Sequence, residues 1–182
     1  MPENQNIDQN LELIKKSSKT PPNAIDVEFS VLGAMLLEPT IIAQVIEILK
    51  PECFYDAKHR VIFEAIIGIY NKNNKAPVDT VTLYEELKKN NNVDASGGVT
   101  YLTKLTQDVS TAANVEYHAK IVLEKYILRQ LISTSTNIAS SAYTDTEDVF
   151  DLLDRAETDI FQITQHGLKE SYKGMDKAVR EA

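Results

Sequence analysis

The stretch "VEYHAKIVLEKYILRQLISTSTNIASSA", residues 115–142, decides the fold. It holds no Gly and no Pro, so nothing in it stops a helix; at 1.5 Å per residue that helix is ~40 Å long. Its apolar residues do not lie on one stripe. Val115, Ala119, Val122 and Tyr126 share one face, and Ile121, Leu128, Ile132 and Ala139 share a nearly opposite one. Ile127, Leu131 and Ile138 form a third line. A surface helix of a monomer needs one stripe. This one asks for neighbours on several sides.

A second helix follows. Thr144, Asp145, Thr146 and Glu147 have capping-box spacing. After them Val149, Leu152, Leu153, Ala156, Ile160 and Ile163 recur at helical steps. Glu147, Asp148, Asp151, Asp154, Glu157 and Asp159 make the rest of this helix acidic, with Arg155 opposing them. Such a face is usually solvated, and it also suits a basic partner. Two helices joined by a short turn form an antiparallel hairpin. One seam uses one stripe of each helix. The leftover lines would leave an apolar patch unusual for a monomer. The expectation is a hairpin that dimerises with a copy of itself. Ile127, Leu131, Ile138, Phe150 and Phe161 are assigned to the subunit interface. Ile121, Leu128, Ile132, Leu152, Leu153 and Ile160 are assigned to the hairpin seam, with the reverse assignment left open.

Upstream, residues 1–20 are polar with isolated apolar residues and read as a disordered tail. From Asn23 the pattern is helical, with Ile25, Phe29, Leu32 and Leu36 at three- and four-residue steps. Pro39 ends that helix. Thr40 is positioned to cap the next, which stops before Pro51. Asp56 is the expected N-cap of a third helix over roughly 57 to 71. A polar break over Asn71 to Pro77, a helix opened by Asp79 or Thr80, a Gly97-Gly98 turn and a short helix complete this part. The fold class is all-α: a globular helical subdomain over 21–110, then the hairpin over 111–165. Residues 166–182 read as a linker and the start of another helix. The chain stops inside that pattern, which points to a fragment.

Composition narrows the function. The formal net charge is −8, and 43% of the 182 residues are hydrophobic. A phosphate backbone is repelled on average, so no direct DNA binding is expected. One Cys excludes an internal disulfide. No run of about 18 apolar residues offers a membrane span, and the default location is cytoplasmic. The three His and Cys53 sit in separate elements, without recurring metal-ligand spacing. None of the six Gly precedes a Lys, so no phosphate-binding loop of the G-x-x-x-x-G-K-[ST] form exists here.

Residues 51–66, "PECFYDAKHRVIFEAI", gather Cys53, Asp56, His59 and Arg60. Contact between Cys53 and His59 is geometrically feasible, and a Cys–His pair is one way to activate a nucleophile. The reading adopted is structural. Ile62, Phe63, Ile66, Ile67 and Tyr70 fall at helical steps, and His59 is an i, i+4 neighbour of Phe63. Phe54, Tyr55, His59, Arg60, Ile62 and Phe63 are taken as a core motif.

Several stretches also carry a resemblance. "PPNAIDVEFSVLGAMLLE", "FYDAKHRVIFEAI", "PVDTVTLYEELKKN", "GGVTYLTKL" and "TAANVEYHAKIVLEKYILRQLI" follow one another in order. Together they resemble the N-terminal domain of DnaB-type bacterial replicative helicases, over roughly residues 21 to 165. "EDVFDLLDRAETDIFQI" is similar to the second hairpin helix of that family, and "KGMDKAVREA" to the start of its linker helix. The resemblance implies hairpins that pair subunits, three pairs closing a collar on a hexameric ring, and docking of the DnaG primase C-terminal domain. A helicase loader is a further candidate partner. ATP and Mg belong to a RecA-like motor domain that this chain lacks, so no cofactor, ATPase or unwinding is expected of it. The parent would be an ATP-dependent 5′–3′ helicase. The alternatives are a stand-alone regulatory adapter and an enzyme using Cys53 and His59.

Overall fold

Prolines and short polar caps divide the chain into helices. The computed structural model describes residues 20–72, 78–144 and 148–180, with side chains as far as 165. Helix α1 spans Ile25–Leu37 and stops at Glu38, before Pro39. A 3-10 turn over Pro39–Ile41 leads into α2, Ile42–Ile48. No side chain caps α2, and the Thr40 hydroxyl expected to do so donates to Glu38 Oε1 at 3.1 Å. Pro39 starts the turn in its place, since a proline needs no N–H partner at a helix start.

Helix α3 spans Ala57–Lys72, and Asp56 Oδ1 accepts from the Lys58 N–H at 2.9 Å at its start. Helix α4 spans Thr80–Lys89. Asp79 Oδ1 accepts from the Thr82 N–H at 2.7 Å, and the Asp79 N–H donates back to Thr82 Oγ1 at 3.0 Å. Helix α5, Gly98–Gln107, follows Gly97 with φ at 89° and opens on Gly98 with φ at 76°, left-handed positions that suit glycine. Helix α6 is Val115–Thr144 and α7 is Val149–Arg180. Among the described residues there is no strand.

The tail reading for residues 1–19, the polar break over 73–77 and most of the capping box, at 145–147, lie outside the described residues. Thr144 ends α6, and Asp148 Oδ1 accepts from the Phe150 N–H at 2.8 Å at the start of α7. The break expected after Gln165 is not there: α7 runs on to Arg180. Gly167 and Gly174 cost a helix interior only ~1 kcal/mol each, and no Pro intervenes.

Packing centres on α1. Its residues Val31 to Leu36 are buried in unbroken succession, so this stretch is covered on every side. It packs against α3, α5 and α6. Ile25, placed on its apolar line by spacing, is 38% exposed because the first turn lies at the rim. Phe54 and Phe63 meet with ring centroids 4.7 Å apart, among Leu32, Met35, Ile62, Ile66, Leu102 and Leu105. The first turns of α6 belong to this core too, since Val115, Ala119, Val122 and Leu123 are buried. The globule therefore takes in the start of α6, beyond the boundary drawn at residue 111. One continuous helix leaves the globule and becomes the first arm of the hairpin, packed on α7. Among the described residues no single helix is long and apolar enough to cross a membrane.

Candidate interaction surface on the hairpin

The base of the hairpin is fixed by polar bonds around residues 53–56. Glu28, 1% exposed on the buried side of α1, accepts from the Tyr55 N–H at 2.7 Å and the Asp56 N–H at 3.3 Å. Its Oε2 also meets His59 Nδ1 at 2.8 Å, and His59 Nε2 meets the Tyr101 hydroxyl at 2.7 Å. Burial, with the nearby charges of Asp56, Glu28 and Asp26, pushes the Tyr101 phenol above its ordinary value. The His59 ring thus bridges Glu28 and Tyr101, with both of its nitrogens engaged. Arg60 lies at the surface and donates to the Phe54 carbonyl at 3.1 Å. Tyr55 is half-buried, and Phe54, His59, Ile62 and Phe63 are fully enclosed.

No Cys–His pair forms. Both His59 nitrogens are committed to Glu28 and Tyr101. Cys53 Sγ accepts from the Lys50 N–H at 3.4 Å, and burial pushes its thiol up, away from the nucleophilic thiolate. Among the described residues no group of three or more His, Cys, Asp or Glu is placed to hold a metal ion.

Arg129, on α6 just past the buried turns, joins the hairpin to this assembly. Its guanidinium donates to the Pro22 carbonyl at 2.9 Å and the Cys53 carbonyl at 2.6 Å. It lies against the rings of Tyr55 and Tyr126, 5.5 and 5.8 Å from their centroids. Burial lowers its pKa, while the charge of Glu28 pushes the other way.

From Tyr126 onward the two arms meet along a seam that differs from the sequence assignment. Tyr126, Ile127, Gln130 and Thr134 face Asp159, Gln162 and Ile163 across one side of the groove. Further along, Ile138 and Ser141 lie beside Arg155 and Asp159, and Arg155 Nη2 donates to Ser141 Oγ at 2.8 Å. Ile127 and Ile138, assigned to the subunit interface, are thus half-buried in the seam. Leu128, Ile132, Leu153 and Ile160, assigned to the seam, are 44%, 53%, 59% and 46% exposed. Ile121 and Leu152 are half-buried. Leu131, Phe150 and Phe161 are exposed in the single chain. The reason is angular: neighbours such as Ile127 and Leu128 point about 100° apart, and the seam takes the line of Ile127.

By helical spacing from the seam, Leu128, Leu131 and Ile132 of α6 turn to the same side as Val149, Leu153 and Ile160 of α7. Phe150 and Phe161 are exposed farther round α7, and Phe161 lies beside Asp154, Glu157 and Thr158. The opposite side carries Gln130, Asn137, Ser140, Asp151, Arg155 and Gln162. The hairpin therefore concentrates its exposed aliphatic residues on one side.

Residues 20–124 match the family model described as DnaB-like helicase N-terminal domain. The chain belongs to this family. It is 41% identical over 169 residues to the replicative DNA helicase DnaB of Rhodothermus marinus, covering 93% of this chain and 18% of that protein. It is 42% identical over 159 residues to the DnaB of Geobacillus stearothermophilus, covering 87% of this chain and 35% of that one. The chain thus spans about a third or less of these curated relatives. The crystal structure of the N-terminal domain of DnaB helicase from Mycobacterium tuberculosis superposes with a TM-score of 0.73 at 38% identity, over 79% of this chain and 99% of that one. A DnaB-like replicative helicase whose structure was described with its interactions with primase shares the fold, with a TM-score of 0.61 at 23% identity, over 82% of this chain and 34% of that one. The chain has the DnaB N-terminal domain architecture, a helical globule carrying a helical hairpin.

The sequence reading missed Glu28, Tyr101 and Arg129. Glu28 left a trace: it stands inside an apolar run, at the helical spacing of Ile25 and Leu32. An acid on a core line announces a buried partner.

Proposed function

We propose that this chain is the collar module of a replicative DNA helicase. It pairs subunits through the apolar side of the hairpin, contributes to a hexameric collar of three such pairs, and docks the C-terminal domain of primase. The observation that carries the pairing is the exposed surface of Leu128, Leu131, Ile132, Leu153, Ile160 and Phe161. Eight large hydrophobics, counting Val149 and Phe150, stand exposed along the two helices of the hairpin. Patches of this kind mark protein interfaces. A second copy supplies a matching apolar surface through a two-fold axis, the commonest symmetry of soluble oligomers.

Family membership, and a DnaB-like helicase described with its interactions with primase, support the docking reading. A loader is a further expected partner, and ATP hydrolysis and DNA unwinding are expected of a motor domain outside this chain.

Sedimentation equilibrium over a range of concentrations tests the pairing. The unsubstituted chain is expected to associate, while Leu131→Asp and Leu153→Asp variants stay monomeric with unchanged helicity. Association that survives both substitutions would remove the hairpin side as the pairing surface. Titration of the cognate primase C-terminal domain, followed by calorimetry, tests the docking; no heat and no co-sedimentation would end that part of the proposal.

A further inference from the structure

We propose that Arg129 is a pin that fixes the direction in which the hairpin leaves the globule. Helix α6 is a single rod from Val115 to Thr144, held in the globule through Val115, Ala119, Val122 and Leu123. Past Ile127 its apolar residues face α7 or solvent. Arg129 follows at once, and its two bonds reach segments 107 and 76 residues away in the sequence. It is the bracket at the point where the hairpin parts from the globule.

The bracket is anchored in something rigid. The Cys53 carbonyl accepts from Arg129, and the Phe54 carbonyl from Arg60. The Tyr55 and Asp56 N–H groups donate to the enclosed Glu28 carboxylate. Every one of these bonds ties the loop to α1, α3 or α6. The other arm of the bracket, at Pro22, holds the chain just ahead of α1. The flanking Tyr55 and Tyr126 rings limit the guanidinium to its plane. Two carbonyls from separate segments need a planar fork of donors; the ammonium of a lysine is a point charge on a flexible stem and does not reproduce it.

Leverage makes this position matter. Long helices bend readily. Residues 129–144 extend ~22 Å beyond the pin, so a tilt of about 10° moves the tip by ~4 Å. Arg129 itself lies next to the exposed Leu128 and Ile132. If the hairpins pair as proposed above, the pin sets where the two globules of a pair point. That consequence rests on the pairing reading, whereas the pin is a property of the single chain.

The test is a distance distribution within one chain. Spin labels are placed at Lys88→Cys in the globule and Ala142→Cys near the hairpin tip, both exposed positions. The labelled chain is diluted in unlabelled chain, and double electron–electron resonance is recorded; the enclosed Cys53 stays unlabelled. Arg129→Met keeps an unbranched stem and removes the N–H groups. It is expected to at least double the width of the distribution, with Arg129→Lys in between. Ile66→Ala, a core truncation on α3 that removes none of the Arg129 partners, controls for lost stability and should leave the width unchanged. A folded Arg129→Met chain with unchanged width overturns the proposal, as does equal broadening by Ile66→Ala. Should Arg129→Met fail to fold, the width for Arg129→Lys decides. Sedimentation of the same variants reads pairing separately, so failure of the pin and failure of pairing give different results.

Discussion

Glu28 makes the fold depend on a single carboxylate. Three donors from residues 55, 56 and 59 converge on it inside the core. A buried acid tolerates this only while its partners are present. His59→Leu removes one partner and keeps the bulk, leaving an under-satisfied charge. The loss is expected to be ~3–5 kcal/mol, read from the urea midpoint. Tyr101→Phe deletes one hydroxyl at the half-buried end and should cost about 1 kcal/mol. Near-equal effects of the two would show that the chain does not depend on Glu28 in this way. Asp79 behaves differently because it is a cap at the surface. The backbone N–H of Thr82 holds its carboxyl below the ordinary range. A depressed folded value means that the cap contributes above about pH 4, the unfolded value, and is lost as pH falls through the lower folded one. Asp79→Ala should cost about 1 kcal/mol at neutral pH. The gap to the unsubstituted chain should close as pH falls below 4, in urea titrations repeated at each pH.

At the scale of elements, α1 shows how closely the helices approach. A methyl added to Gly33 would collide with the Leu105 carbonyl and the Val109 side chain, where the end of α5 and the chain after it cross α1. Gly33→Ala should therefore destabilise by about 1–3 kcal/mol through overpacking. Gly68 in α3 has open space around it. Gly68→Ala should stabilise by about 0.4–1 kcal/mol, because alanine narrows the unfolded ensemble at a helical position. Thermal melts of both variants check the opposite signs. The helix boundaries were largely legible because they depend on local chemistry: Pro39 and Pro51 as stops, Asp56 as a cap, Asp79 or Thr80 as the opening of α4, Gly97-Gly98 as a turn. The all-α class followed from the same signals. The seam was not legible at the level of single residues. Ile127 and Leu128 are equally apolar neighbours, and which one meets α7 depends on how α6 is rotated by its packing on α1. Periodicity within α6 does not contain that rotation. The continuation of α7 past Gln165 was missed because polarity was read as an end of helix, although neither Gly167 nor Gly174 is a sufficient stop.

For the whole molecule, the division of labour within α6 is the main consequence. Its first turns are core to the globule, Arg129 brackets it, and its remainder shares an apolar side with α7. Association through that side would couple stability to concentration, since a pair must separate for either chain to unfold completely. For a two-state dimer, a tenfold rise in concentration stabilises the folded state by about 1.4 kcal/mol per pair. Shared between two chains of this size, that raises Tm by ~2 °C per tenfold. Phe161→Glu adds a charge to an exposed position, so the isolated chain should lose little stability. Its Tm should nevertheless stop depending on concentration, and at high concentration it should fall below that of the unsubstituted chain. The polar side supplies the control: Gln162→Glu adds the same charge one residue away, on the side that carries Asn137 and Arg155, and should keep the concentration dependence. Calorimetric scans of the three chains at several concentrations decide between them. A Tm independent of concentration in the unsubstituted chain, or lost equally in both variants, would show that the apolar side does not bring two copies together.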